Sequence, residues 1–486
     1  MSCDDKSALT ETAPSFRGLI GTSRRDMTPE PGIFCHLWGS ARHEIAESIH
    51  RPLYVYAIAF KATGDHSPFV IVTIDYCWFP NFETVTRLRR PILASLGIEE
   101  HRLLLVVTHS HSVPHIDEEL ESKPGGDKIP AFRAKLMGAL SEAVDEAVAN
   151  LAPAVLSWTR ADSSLARKRD FTDPDSGRIL CGPNPAGRAD TTLMVGRVTN
   201  ELSGKIVASI VNYACHPVSL GGGNTAVSPD YVGAMRELVE ANTGGALCIF
   251  LHGPSGDQTP RDSYSSDPAV ADRNGEVLGY AVLSALRGML PPGRRLEFVG
   301  IQSSGAELAI WEPRTYAVDP IAASVVNYVR LPEKNWPTIA EIEARLAAET
   351  DRPALTRMER LKQYVSNLEG GLRGGFPIWG MRFGQAIVIA TPAEPFTELQ
   401  IELRKRFPNN AIIVANDTNG SFNYLPPASY YGNGAYEQDC ADFGPGALEI
   451  VIVAATKIIE SLLRISEPAV SVESIARLPK GQYTWN

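Results

Sequence analysis

Five apolar residues, Leu103 to Val107, pass directly into Thr108-His-Ser-His111 before Pro114 halts the extended chain. A short, wholly apolar run reads as a strand buried on both faces, so this chain needs a sheet covered by further layers. Side chains two apart in an extended segment point the same way, and His109 and His111 therefore leave the strand end on one side. A rigid strand that delivers two imidazoles to its C-terminal edge suits metal binding or proton transfer.

The pattern recurs along the chain. Phe69 to Asp75 is a strand ending in an acid, and a helix from Phe82 to Leu96 links it to the His109 strand, the layout of a crossover unit. Ile206 to Ala214 is a strand that runs into His216, and Ala246 to His252 one that runs into Gly253-Pro-Ser-Gly-Asp-Gln-Thr-Pro260. That Gly-rich turn lacks the Gly-Lys-[Ser/Thr] of a phosphate loop. Ala386 to Ala390 leads to Glu394, and Ala411 to Ala415 leads towards Tyr424. Further helices are expected over 129–150, 232–240, 267–289, 396–406 and 445–464, with mostly strand over 295–330 and a charged helical hairpin over 338–366. The basic run Arg167-Lys-Arg-Asp-Phe171 and the Gly/Pro-rich 181–187 read as one long irregular region.

The expected fold is α/β, a large mixed sheet flanked by helices with the active site at strand C-terminal ends. It forms a single large domain over 15–468, between a flexible tail at 1–14 and a C-terminal tail at 469–486. Two nitrogens from His109 and His216 and two oxygens from Glu394 and Tyr424 at one sheet edge would suit a tetrahedral Zn2+ with room for water. Read singly, Glu394 is better explained as an acid at a helix N-terminus, favoured by the dipole.

Charge and cysteine usage narrow the partners. A net charge of −10 over 486 residues argues against nucleic acid or an anionic membrane. No apolar run of about 18 residues predicts a spanning helix, and Met1-Ser-Cys-Asp-Asp-Lys-Ser has no features of an export signal. Seven scattered cysteines without Cys-x-x-Cys read as reduced thiols in a cytoplasm. A small-molecule substrate is the expected partner, with no stable membrane association and room for a homo-oligomer.

Five short motifs, in order over residues 18–465, carry a resemblance to the catalytic domain of the neutral/alkaline (non-lysosomal) ceramidase family. Thr108-His-Ser-His-Ser-Val-Pro-His115 stands where that family has Thr-His-Thr-His-Ser-Gly-Pro-Gly, and Asn212-Tyr-Ala-Cys-His216 where it has Asn-aromatic-Ala-x-His. Gly256-Asp-Gln-Thr-Pro260 is similar to its Gly-Asp-x-Ser-Pro, and Pro392-Ala-Glu-Pro-Phe-Thr397 loosely to its Pro-Gly-Glu-Phe-Thr. Tyr424 and Tyr436-Glu437, followed by Phe443-Gly-Pro445, keep the family's tyrosine spacing. The resemblance implies that His109, His216, Glu394 and Tyr424 ligate zinc. It also implies that His111, Tyr436 and an arginine, Arg167 or Arg169, line the substrate carbonyl, with Thr259 in place of the family serine.

Departures from that pattern shape the expected activity. Val113 and His115 alter the pocket mouth, and Thr259 favours a zinc-activated water over a hydroxyl nucleophile. The chain has neither the immunoglobulin-like domain nor the signal expected of an exported ceramidase, so a smaller soluble amide is expected in place of ceramide. Specificity is expected in loops 113–128, 171–188 and 312–335. A zinc esterase or lactonase is the alternative, and a non-catalytic metal-binding protein the third reading. Val113 and Pro114 stand where the His-x-His-x-Asp-His of metallo-β-lactamase-type hydrolases requires Asp and His, which argues against that class.

Overall fold

Leu103–Val107 is a strand with every side chain buried in the computed structural model, which describes residues 10–371, 375–420 and 422–466. It pairs in parallel with Phe69–Ile74. The helix Phe82–Leu96 between them is capped by the Asn81 side chain on the Thr84 amide and ended by left-handed Gly97, as a helix with these end residues should be.

Eight strands form the main sheet in the order Leu247–His252, Ile206–Tyr213, Thr192–Asn200, Ala152–Asp162, Ser15–Asp26, Tyr54–Lys61, Phe69–Ile74, Leu103–Val107. Both outermost pairs are parallel and the pairs between them antiparallel. The His109 strand and the His252 strand are thus opposite edges. The segment after Ala411–Ala415 stitches them together. Asn416 N donates to His252 O at 2.9 Å, while Asn419 donates to Leu105 O through its amide and exchanges side-chain hydrogen bonds with Leu105 N and Leu103 O. The exposed ladder of the edge strand is satisfied in this way.

A second, four-stranded sheet, in the order Ala322–Val329, Phe376–Phe383, Ala386–Ala390, Ala411–Ala415, packs face to face on the first. Trp379, Met381, Phe383, Val388 and Ile413 share one buried cluster with Tyr56, Ile58, Phe60, Ile71, Leu104 and Val106. The alternate residues of the large sheet meet helices Phe82–Leu96 and Ile129–Ala149 over one half and Tyr231–Asn242 and Pro268–Gly288 over the other. Glu398–Arg406 and Ala447–Leu463 cover the second sheet. The result is four layers, helix–sheet–sheet–helix, with the expected mixed sheet and flanking helices. The second sheet was not foreseen. Its strands are legible one by one, but their assignment to a separate layer rests on pairing between segments far apart in sequence.

Other expectations are corrected. The region read as irregular contains strands Ala166–Thr172 and Ile179–Asn184, which form a small sheet with Gln258–Pro260. Pro183 is tolerated there because Ile179–Asn184 is an edge strand. Thr192–Asn200, not among the expected elements, lies inside the main sheet. Thr10 and Glu11, assigned to the N-terminal tail, pair with Glu297 and Leu296, whereas residues 1–9 and the C-terminal tail at 469–486 lie outside the described residues. Among the described residues six cysteines are free and no helix is long and apolar enough to cross a membrane.

Candidate metal centre and active site

The two histidine ligands proposed stand just beyond strand ends. His109 follows Leu103–Val107 in left-handed backbone, φ 67, with its amide bonded to Tyr76 O at 2.8 Å. His216 follows Ile206–Tyr213, and Asn212 steadies that strand by donating to Leu251 O and Val414 O on two neighbours. Glu394 and Tyr424 face each other in a two-residue parallel ladder, Glu394–Pro395 with Tyr424–Leu425. Glu394 is therefore not a helix-capping acid, since the next helix starts at Glu398. The Gly256-Asp motif locks this ladder in place. A Cβ at Gly256 would lie 2.7 Å from Glu394 O, so only glycine fits, and the Asp257 carboxylate accepts from Thr397 N and Oγ1 at 2.8 Å and pairs with Lys168.

The side chains converge. Glu394 Oε2 lies 3.2 Å from His216 Nε2 and 3.7 Å from His109 Nε2, all three residues being buried. Neither His216 Nε2 nor Glu394 Oε2 has a hydrogen-bond partner among the described residues. Zn–N and Zn–O bonds of about 2.0–2.2 Å place the donors of a tetrahedral ion roughly 3.3–3.6 Å apart, so this trio is spaced for one ion. The outer face of His216 is held as well. His216 Nδ1 lies 2.8 Å from Ser255 O, which turns the Nε2 lone pair towards Glu394, while Asp417 Oδ2 stands 3.1 Å from His109 Nδ1 without hydrogen-bond alignment.

Tyr424 stacks near His216, ring centres 6.2 Å apart, and its Oη accepts from Arg169 Nη2 at 2.9 Å. Arg169 Nε in turn donates to Glu437 at 2.8 Å, all three side chains being buried. Arg167 instead bonds the carbonyls of Ser164 and Ala166, so of the two arginines it is Arg169 that lies against Tyr424. Tyr436 stands at the rim, over a third exposed, with its ring 5.9 Å from that of Tyr424. Thr259 is fully buried in the strand pair opposite Arg167, and its Oγ1 has no hydrogen-bond partner among the described residues.

His111 sits 5.1 Å from the His109 ring and 6.0 Å from that of His216, with both its nitrogens buried and without a hydrogen-bond partner among the described residues. Burial, reinforced by His109 and His216, holds it well below the usual histidine range, hence neutral. Burial likewise lowers His109, and, with Arg169 and His109, lowers His216 much further. Burial pushes the Tyr424 phenol well above its usual value against the pull of Arg169.

Sequence reading missed Asp417, Glu437 and His252. Asp417 follows a buried strand as His109 does, but Asn416-Asp-Thr-Asn-Gly420 has the composition of a solvated turn, and Asp417 and Asn419 do adopt left-handed backbone there. His252 stacks parallel to His109 at 5.4 Å, with its Nε2 2.8 Å from Ser255 Oγ. Since Asp417 lies in ion-pair range of a proposed ligand, Asp417→Ala is expected to weaken metal retention about 10- to 100-fold in a chelator competition. Unchanged retention would remove Asp417 from the site.

No protein-family model and no curated protein matches the sequence. Two solved structures do match the fold. The neutral ceramidase from Pseudomonas aeruginosa aligns with a TM-score of 0.66 at 15% identity, over 95% of this chain and 77% of that one. A ceramidase complexed with C2 aligns with a TM-score of 0.64 at 14% identity, over the same shares. The resemblance carried by five short motifs thus holds at the level of architecture, and the chain has the neutral ceramidase fold.

Proposed function

We propose that the protein is a zinc-dependent amidohydrolase that cleaves the C–N bond of a small, soluble N-acyl substrate. The observation that carries this reading is the convergence of His109 Nε2, His216 Nε2 and Glu394 Oε2 beside His111, whose two nitrogens have no hydrogen-bond partner among the described residues. A divalent ion held by these three side chains, with Tyr424 as the fourth, supplies Lewis acidity at the carbonyl and lowers the pKa of water towards about 7.

The chain's own groups account for the remaining steps. Neutral His111 takes the proton of the attacking water and returns one to the departing nitrogen, which an amide requires and an ester does not. Arg169, clamped by Glu437, presents Tyr424 to the site, so it acts through the phenol, not on the carbonyl itself. Tyr436 at the rim meets the substrate on entry. Thr259, enclosed in its strand pair, has a structural part.

A screen of N-acyl amides, ceramides, esters and lactones against wild type and His111→Ala tests this. Amide turnover lowered about 10²- to 10⁴-fold in the variant is expected. Esters or lactones cleaved in a His111-dependent way while every amide stays intact would overturn it.

A further inference from the structure

The helices Ile339–Ala348 and Arg352–Gly371 belong to none of the four layers. They lie against the loop that carries Trp38. Gly39 faces Pro353 and Thr356, and Arg352 lies 3.7 Å from Glu44. One residue of this pair reaches the active site. Arg360 donates from Nη2 to Leu37 O at 2.5 Å and sets its guanidinium over the Trp78 ring, Cζ 5.2 Å from the ring centre. The same indole borders the site, for the Trp78 ring lies 5.6 Å from His111 and 6.1 Å from His109. Trp38, 5.2 Å from His111, forms the adjoining wall.

Arg360 differs from the other arginines around the fold's edges. Arg24, Arg51 and Arg102 each meet a carboxylate, whereas none of the described residues places one within ion-pair distance of Arg360. A half-buried cation stacked on an indole, its plane fixed by the ring and one carbonyl, is pre-oriented for a planar two-oxygen anion. It costs less to desolvate that cation when a ligand supplies the counter-charge. Arg352 lies against Glu44, whereas Arg360 offers this mouth a cation with no carboxylate partner among the described residues, which suits a single carboxylate.

We propose that Arg360 recognises a carboxylate on the substrate, so that the protein prefers acidic N-acyl amides to neutral ones; as a statement about substrate this rests on the amidohydrolase reading above. The carboxylate can lie on the acyl or the amine part, and paired probes separate the two. N-acetyl-γ-aminobutyrate places it on the amine side and adipamate on the acyl side, each compared with its primary carboxamide. Binding to the full-length, metal-loaded protein is measured by calorimetry and hydrolysis as kcat/KM, for wild type, Arg360→Gln, Arg360→Glu and Arg360→Lys. Wild type is expected to bind one acidic probe roughly 10- to 100-fold tighter than its carboxamide. The ratio should fall to near one in Arg360→Gln and invert in Arg360→Glu. Arg360→Lys, which keeps the charge, should retain part of the preference, and this separates recognition from loosening of the Leu37 loop. A wild-type ratio near one for both pairs, or a ratio that survives Arg360→Gln, overturns the proposal. Arg360-dependent binding of an acidic probe with no amide cleaved supports the carboxylate site and removes the amidase reading instead.

Discussion

His216→Ala and Glu394→Ala are each expected to leave the purified protein with far less than one zinc per chain and to lower turnover by about 10³-fold or more. The magnitude follows from losing a charge-stabilising ion whose contribution to the transition state is several kcal/mol. Glu394 is the more severe of the two. Its Oε2 is the atom common to both histidine contacts, and without it His109 and His216 lose the carboxylate donor they share. Metal analysis of the two variants beside His109→Ala and wild type decides the matter. One full equivalent of zinc retained in both His216→Ala and Glu394→Ala would move the metal elsewhere.

Arg169→Met is the substitution expected to cost the fold most. Glu437 is buried beneath Arg169 and would be left as an unpaired charge, a loss of about 3–5 kcal/mol. The double variant Arg169→Met/Glu437→Gln removes both charges and should regain most of that stability, because a pair is far less costly to replace than to break. The regained stability should not restore activity, since Tyr424 Oη still lacks the donor that holds it. The urea midpoint of the single and double variants is the measurement. Two equal midpoints, both at the wild-type value, would show that Arg169 and Glu437 do not depend on each other.

How far the sequence reaches can be judged residue by residue. The strand Leu103–Val107 and its trailing His109 and His111 were legible because burial on both faces leaves an uninterrupted apolar run, and the polarity change at its end is a local signal. His216 was legible in the same way. For Glu394 the local signal was ambiguous. An acid a few residues ahead of a helix reads more readily as a cap, and only the ladder with Tyr424 turns it towards the histidines.

What the chain determines by itself is the set of buried strands and the polar residues at their ends, since alternation and apolar runs reflect interactions among near neighbours. Tertiary structure decided the rest. It closed the two edges of the large sheet through Asn416 and Asn419, which brought His252 and Asp417 to His109 from well over a hundred residues away. It set Arg169 and not Arg167 against Tyr424 by pairing the strand Ala166–Thr172 with Gln258–Pro260, and it folded a charged helical hairpin so that Arg360 meets Trp78. These outcomes depend on which segments pair and which face each side chain takes once packed. Both are set by contacts between residues distant in the chain, which no local pattern records.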